Sequence, residues 1–136
     1  MEMSRIFFLF ILLFLFIPSL AAAQTSRSVT TAANKSWKPF WTQFTAAVKS
    51  KNKAAVKQLM VAERDFSNGA EGGTRNQWLK NLDKQKLWGE VQRTVAKGTK
   101  LYNSGEKIPW RVTMDDSLLF VFEKGSWRFF GVRGDE

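Results

Sequence analysis

Ser117-Leu-Leu-Phe-Val-Phe-Glu-Lys-Gly-Ser-Trp-Arg-Phe-Phe-Gly-Val132 is the stretch that decides the fold. Its apolar and aromatic runs, Ser117 to Glu123 and Ser126 to Val132, read as two strands joined at Glu123-Lys124-Gly125. Lys-Gly matches poorly the Asn-Gly pair that two-residue turns favour, so a three-residue loop with Gly125 in the left-handed bulge position is expected. That register sets Val121 opposite Trp127 and Leu119 opposite Phe129 on one side of the sheet. The other side then carries Leu118, Phe120, Phe122, Arg128 and Phe130.

Both faces of this hairpin are apolar, and one of them should cover helices. Leu118, Phe120, Phe122 and Phe130 on the second face predict an interface, most simply with a second copy of the chain. Upstream, Ile108 to Thr113 reads as a further strand that Pro109 confines to an edge or a strand start. Asp115-Asp116 supplies the turn into the hairpin.

Before Gly98 the period is helical. Ser36 is a candidate N-cap with Pro39 in the first turn, where its missing N–H does little harm. Trp37, Phe40, Trp41, Phe44, Ala47 and Val48 then trace one face of a helix running to about Ser50. Asn52 can cap a second, shorter helix with Ala55, Val56, Leu59 and Met60 inward. Val61 to Phe66 is read as a short edge strand, followed by a Gly-rich loop to Gly73. Thr74-Arg-Asn-Gln77 fits a capping box. The helix behind it carries Trp78, Leu79, Leu82, Trp88, Val91 and Val95, and Gly98 closes it.

The chain begins with a cation, Arg5, then twelve apolar residues from Ile6 to Ile17, a break at Pro18-Ser19-Leu20, and Ala21-Ala22-Ala23. This is the pattern of an export signal cut between Ala23 and Gln24, which predicts a secreted or periplasmic protein. The run falls short of the roughly 20 apolar residues of a spanning helix, although an uncleaved anchor is the alternative address. Residues 24–35 are polar and Ser/Thr-rich and read as a flexible linker, leaving 36–136 as a single domain. At the boundary between the two, Asn34-Lys35-Ser36 fits the glycosylation acceptor pattern, which has meaning in a eukaryotic secretory route.

Loss of residues 1–23 removes one cation, Arg5, and one anion, Glu2, so the folded part keeps the net charge of +9. Basic residues gather at Lys49, Lys51, Lys53 and Lys57, at Lys80, Lys84 and Lys86, and at Arg93, Lys97 and Lys100. For an exported protein such a surface points to anionic envelope components, phospholipid head groups or surface polysaccharide, rather than to nucleic acid. The aromatic stripe is not interleaved with these cations as base-stacking platforms are.

There is no Cys and no His. Disulfides, His/Cys zinc sites, Ser-His-Asp triads and Cys nucleophiles are thereby excluded. No carboxylate pair has the spacing of a metal site, and neither cofactor nor metal is expected. Stability must come from packing, for which six Trp, one Tyr and seven Phe beyond residue 23 are available. Each can remove roughly 150–250 Å² from water.

Two opening amphipathic helices, in Trp41 to Met60, and the ending Phe122-Glu-Lys-Gly-Ser-Trp-Arg-Phe-Phe130 together resemble the nuclear transport factor 2-like, or cystatin-like cone, superfamily. The resemblance implies an α+β fold in which N-terminal helices pack in a curved antiparallel sheet, ending in a hairpin. It also implies a pocket, to which Trp37, Trp41, Phe44, Trp78 and Trp127 are the candidate linings. Lys51-Asn52-Lys53 departs from the family, whose members often carry an acidic residue near that joint. Asp65 stands roughly where cone-fold isomerases place a general base, and Tyr102, the only phenol, could donate to a developing oxyanion.

The superfamily spans isomerases, dehydratases and members without any reaction, so the fold does not settle the function. Three readings follow: a non-catalytic exported domain that binds a small apolar or anionic ligand or a partner; an acid–base enzyme using Asp65 and Tyr102; and a structural homodimer.

Overall fold

The computed structural model describes residues 17–69, 72–84, 86–102 and 108–134. The predicted signal up to Phe16 lies outside the described residues. Among the described residues four α-helices and five strands follow in the order α1 (Ile17–Lys49), α2 (Lys53–Gln58), β1 (Ser67–Asn68), α3 (Arg75–Lys84), α4 (Leu87–Ala96), β2 (Thr99–Tyr102), β3 (Trp110–Thr113), β4 (Leu118–Glu123) and β5 (Ser126–Val132). The sheet is mixed, in the order β1-β5-β4-β3-β2, and ends at β1 and β2 without closing into a barrel. The α+β class is as expected. The all-antiparallel sheet is corrected, because β1 runs parallel to β5.

α1 does not start at Ser36. It passes through residues 24–35, read from sequence as a flexible linker, and contains Pro39 in its interior. Ser36 accordingly does not cap; its Oγ donates to the Ala32 carbonyl at 2.7 Å, the back-bonding that Ser adopts inside a helix. What holds the extra turns to the domain is tertiary. Ala33 is buried, and its carbonyl accepts the indole N–H of Trp127 at 2.8 Å. Among the described residues no helix is long and apolar enough to cross a membrane.

α2 is capped as its sequence predicts, with Asn52 Oδ1 accepting from the Ala55 amide at 3.1 Å. The strand expected over Val61 to Phe66 is instead a bridge from Met60 to Phe129, a 3-10 turn at Glu63–Asp65, and only then β1. The Glu63 carboxylate explains the turn, since it accepts from Arg75 Nε and from the Asn76 amide, both at 3.2 Å, and so serves the N-terminus of α3. The capping box ahead of α3 forms in full. Thr74 Oγ1 accepts from the Gln77 amide at 3.2 Å, and Gln77 Oε1 from the Thr74 amide at 3.0 Å. The single helix expected to reach Gly98 is two, broken where Lys86 takes a left-handed φ of 55°. Across that break, Trp88 Nε1 donates to Asp83 Oδ1 at 2.7 Å.

The turn between β4 and β5 corrects the expected register by one residue. Glu123 pairs with Ser126, and Lys124 and Gly125 form a two-residue turn with φ of 49° and 79°. A lysine therefore occupies a left-handed position that Asn or Gly usually takes. Phe122 pairs with Trp127 and Phe120 with Phe129, with an irregularity beside Leu119. Further along β5, a Cβ at Gly131 would lie 2.1 Å from the Ser67 carbonyl oxygen, so the close parallel seat of β1 requires glycine there.

This register puts Leu118, Phe120, Phe122, Trp127 and Phe129 together under the helices, and all five are buried. The core centres on Phe44, Phe120 and Phe129, whose rings are 5.1 to 5.5 Å apart. Leu118, Phe120 and Phe122 therefore do not form the exposed interface expected of them. Only Phe130 of that set is half-exposed, and it lies against Trp110, edge to face at 4.9 Å. β3 begins directly after Pro109, as expected, but lies inside the sheet rather than at its edge.

Candidate functional site

One row of α1 side chains borders the core. Trp37, Trp41, Thr45 and Lys49 recur every four residues and so lie one above another on the helix. Trp37 and Trp41 are both half-buried and stack at 5.4 Å, while Trp37 also meets Trp127 edge to face at 4.8 Å. Further along the row, Thr45 and Lys49 face Gln92, Val95 and Ala96 of α4 across a groove of about 440 Å³. Gln92 ties the two helices together at the far end, its Nε2 donating to the Val48 and Lys49 carbonyls at 3.2 and 3.3 Å.

At the Trp37 end of the row stands Arg111, from β3. Its guanidinium carbon is 4.6 Å from the centroid of the Trp37 ring, a cation–π stack. Its Nε donates to Thr99 Oγ1 at 3.1 Å, and among the described residues no carboxylate pairs with it. Burial lowers the pKa of Arg111 from its ordinary value, as expected of a cation partly withdrawn from water without a counter-charge. Leu101, paired with Arg111 across β2 and β3 and so on the same face, is 69% exposed. The helices thus leave this corner of the sheet uncovered.

Such a corner can hold an anion with an apolar body: one desolvated cation, a wall of stacked indoles, and an uncovered leucine. Arg111 drew no attention in the sequence because a lone Arg in a short strand is usually a solvated edge residue. The available signal was its position between Trp110 and Val112, which places it on the opposite face from both. Which face that was depended on the sheet register.

The other candidates lie apart. Asp65 follows α2 beside edge strand β1, and Tyr102 is on β2 at the opposite edge, so the fold does not bring them together. Asp65 has a side chain 48% exposed, with Arg64 Nε at 3.9 Å. Tyr102 carries the Arg133 guanidinium 5.4 Å above its ring. Of the five pocket candidates, Phe44, Trp78 and Trp127 are buried within the core, Trp78 packing on Phe66 and Phe129 at 5.9 and 5.1 Å. Trp37 and Trp41 are half-buried and lie on the same α1 row as Thr45 and Lys49, which line the groove. Asp115 does form the turn before β4, and among the described residues no group of three acidic, His or Cys side chains could hold a metal ion.

The basic residues decorate exposed surface, with Lys53 paired to Asp83 and Lys100 to Asp116. The Asp83 carboxyl is held below its ordinary pKa by hydrogen bonds from Lys53 and then Trp88. A second groove of about 390 Å³ between α1 and α2 is lined by Gln43, Ala46, Ser50, Ala55, Gln58 and Leu59 among others, with no charged side chain in its wall. Comparison of the chain with family models, with curated protein sequences and with solved structures finds no match.

Proposed function

We propose that this chain is an exported, non-catalytic binding domain whose Arg111–Trp37 corner, continued along the α1 row toward the α1–α4 groove at Thr45, takes a small ligand with an apolar body and a negative charge. The observation that carries the reading is Arg111, a partly desolvated cation on Trp37 with no carboxylate partner among the described residues. A partly desolvated cation with no counter-ion among the described residues is unfavourable to the fold, and an anionic ligand offsets that cost. The acid–base alternative loses its support because its two residues stand at opposite edges of the sheet.

Tryptophan fluorescence titration tests the reading directly, because Trp37 and Trp41 form the wall of the site. Small apolar anions should change the emission saturably in the wild type. A ligand screen that moves neither emission nor melting temperature removes the proposal. Export is tested by N-terminal sequencing of the protein from the outside fraction of its host: a start at Gln24 is expected, and a start near Met1 on a membrane-bound product points to the uncleaved anchor.

A further inference from the structure

We infer that the charged end of this ligand is a monocarboxylate, gripped end-on by the two terminal nitrogens of Arg111. The inference rests on the Arg111–Trp37 corner being the binding site, as proposed above. A guanidinium has five N–H donors in a fixed plane. Here one face lies on Trp37 at 4.6 Å, and the Nε edge is taken by Thr99 Oγ1 at 3.1 Å. Among the described residues the Nη1/Nη2 end is left, a pair of parallel N–H groups whose spacing matches the two oxygens of a carboxylate.

Charge counting selects a monoanion. Lys49, the next cation of the α1 row, is twelve residues from Trp37, roughly 18 Å along the helix axis, and Lys38, beside Trp37 in sequence, is an exposed residue off that row. A dianionic phosphate at Arg111 would thus leave one of its charges unbalanced beside Trp37 and Trp41, which is unfavourable in a partly desolvated site. The apolar body follows from the same row. From Trp37 to Thr45 the helix advances roughly 12 Å, room for an acyl chain of about eight carbons or two fused aromatic rings. Trp41 and the exposed Leu101 offer it contact.

The experiment is isothermal titration of the full protein with four probes: octanoate, 2-naphthoate, octanamide and octyl phosphate. The two acids should bind, and the amide and phosphate roughly 10- to 100-fold more weakly, the size of a lost charge-assisted hydrogen-bond pair. Arg111→Gln should lower octanoate affinity to that of octanamide while leaving the amide unchanged. Arg111→Lys, which keeps the charge and loses the fork, should recover only part of the difference. Circular dichroism and the melting temperature of both variants establish that they are folded.

Equal affinity for octanoate and octanamide, abolished by filling the groove with Ala96→Trp, would overturn the carboxylate while leaving the groove. Tighter binding of octyl phosphate than octanoate, or an Arg111→Gln variant that binds octanoate like the wild type, overturns it as well. Binding of none of the four removes the underlying site together with the inference. The two acids also separate the sources: preference for octanoate indicates an acyl ligand, and preference for 2-naphthoate an aryl one.

Discussion

The two halves of the sheet are held in different ways. Over β4 and β5 the helix-facing side is a dry aromatic layer in which Phe120 and Phe129 are wholly buried against Phe44 of α1. Over β2 and β3 the same side carries Thr99, Leu101, Arg111 and Thr113, and the helices leave Leu101 exposed. That half is tied down by a polar knot instead. The Asp115 carboxylate accepts from Thr113 Oγ1 and Ser117 Oγ, both at 2.7 Å, and from Thr94 Oγ1 of α4 at 3.0 Å. A half secured by directional bonds at one end can leave its other end open, which is where Arg111 stands.

The sharpest way to test this contrast is Phe120→Ala. It should cost about 3–5 kcal/mol, because it removes a ring that touches four helix aromatics and leaves a cavity. Urea unfolding measures it, and a loss below about 1 kcal/mol would mean that the aromatic layer is not the core.

Next in size is acid. Burial tends to raise the Asp115 pKa, but the hydrogen bonds from Thr113, Ser117 and Thr94 outweigh it and bring the carboxyl down to about 2. A depressed carboxyl contributes stability that is present above the unfolded-state value near 3.9 and is lost as pH falls through about 2. Because the residue is exposed, the loss should be about 1 kcal/mol once screening is allowed for. Hydrogen exchange should find β2 and β3 loosening before β4 and β5 between pH 4 and pH 2, roughly the interval between the two values. Simultaneous loosening contradicts the division into halves.

Smaller still is the turn. Lys124→Asn places a residue that tolerates the left-handed region at φ 49° and should add about 0.5 kcal/mol, read from the denaturation midpoint. The smallest effect belongs to Arg111→Leu, which should change stability by less than about 1 kcal/mol, since a modest cation–π contact is exchanged for relief of an unpaired cation. The variant should nevertheless lose anion binding. A large destabilisation would make Arg111 a structural residue and erase the difference between the halves.

Local chemistry was legible residue by residue. Asn52 caps α2, Thr74 and Gln77 cap α3 reciprocally, and Asp115 makes its turn, because each depends on groups within three residues of itself. The aromatic stripe of α1 was legible for the same reason. The register of β4 on β5 was not. Lys-Gly is a weak signal for a two-residue turn, and the shift of one residue moved Leu118, Phe120 and Phe122 from an imagined interface to the core. The break at Lys86 and the turn at Glu63 were hidden likewise, since they rest on Asp83 meeting Trp88 and on Glu63 meeting Arg75 and Asn76.

By itself, then, the sequence determined an α+β chain with capped helices, a core supplied by aromatics in place of disulfides, and a surface with a net charge of +9. It also supplied the only grounds for expecting export. Tertiary structure alone decided which aromatics are core, how far α1 extends, and that Arg111 lies on Trp37 while Asp65 and Tyr102 stay apart. The reason is physical: caps and turns are settled by hydrogen bonds within a few residues, whereas sheet register and the desolvation of a charge depend on surfaces brought together from across the chain.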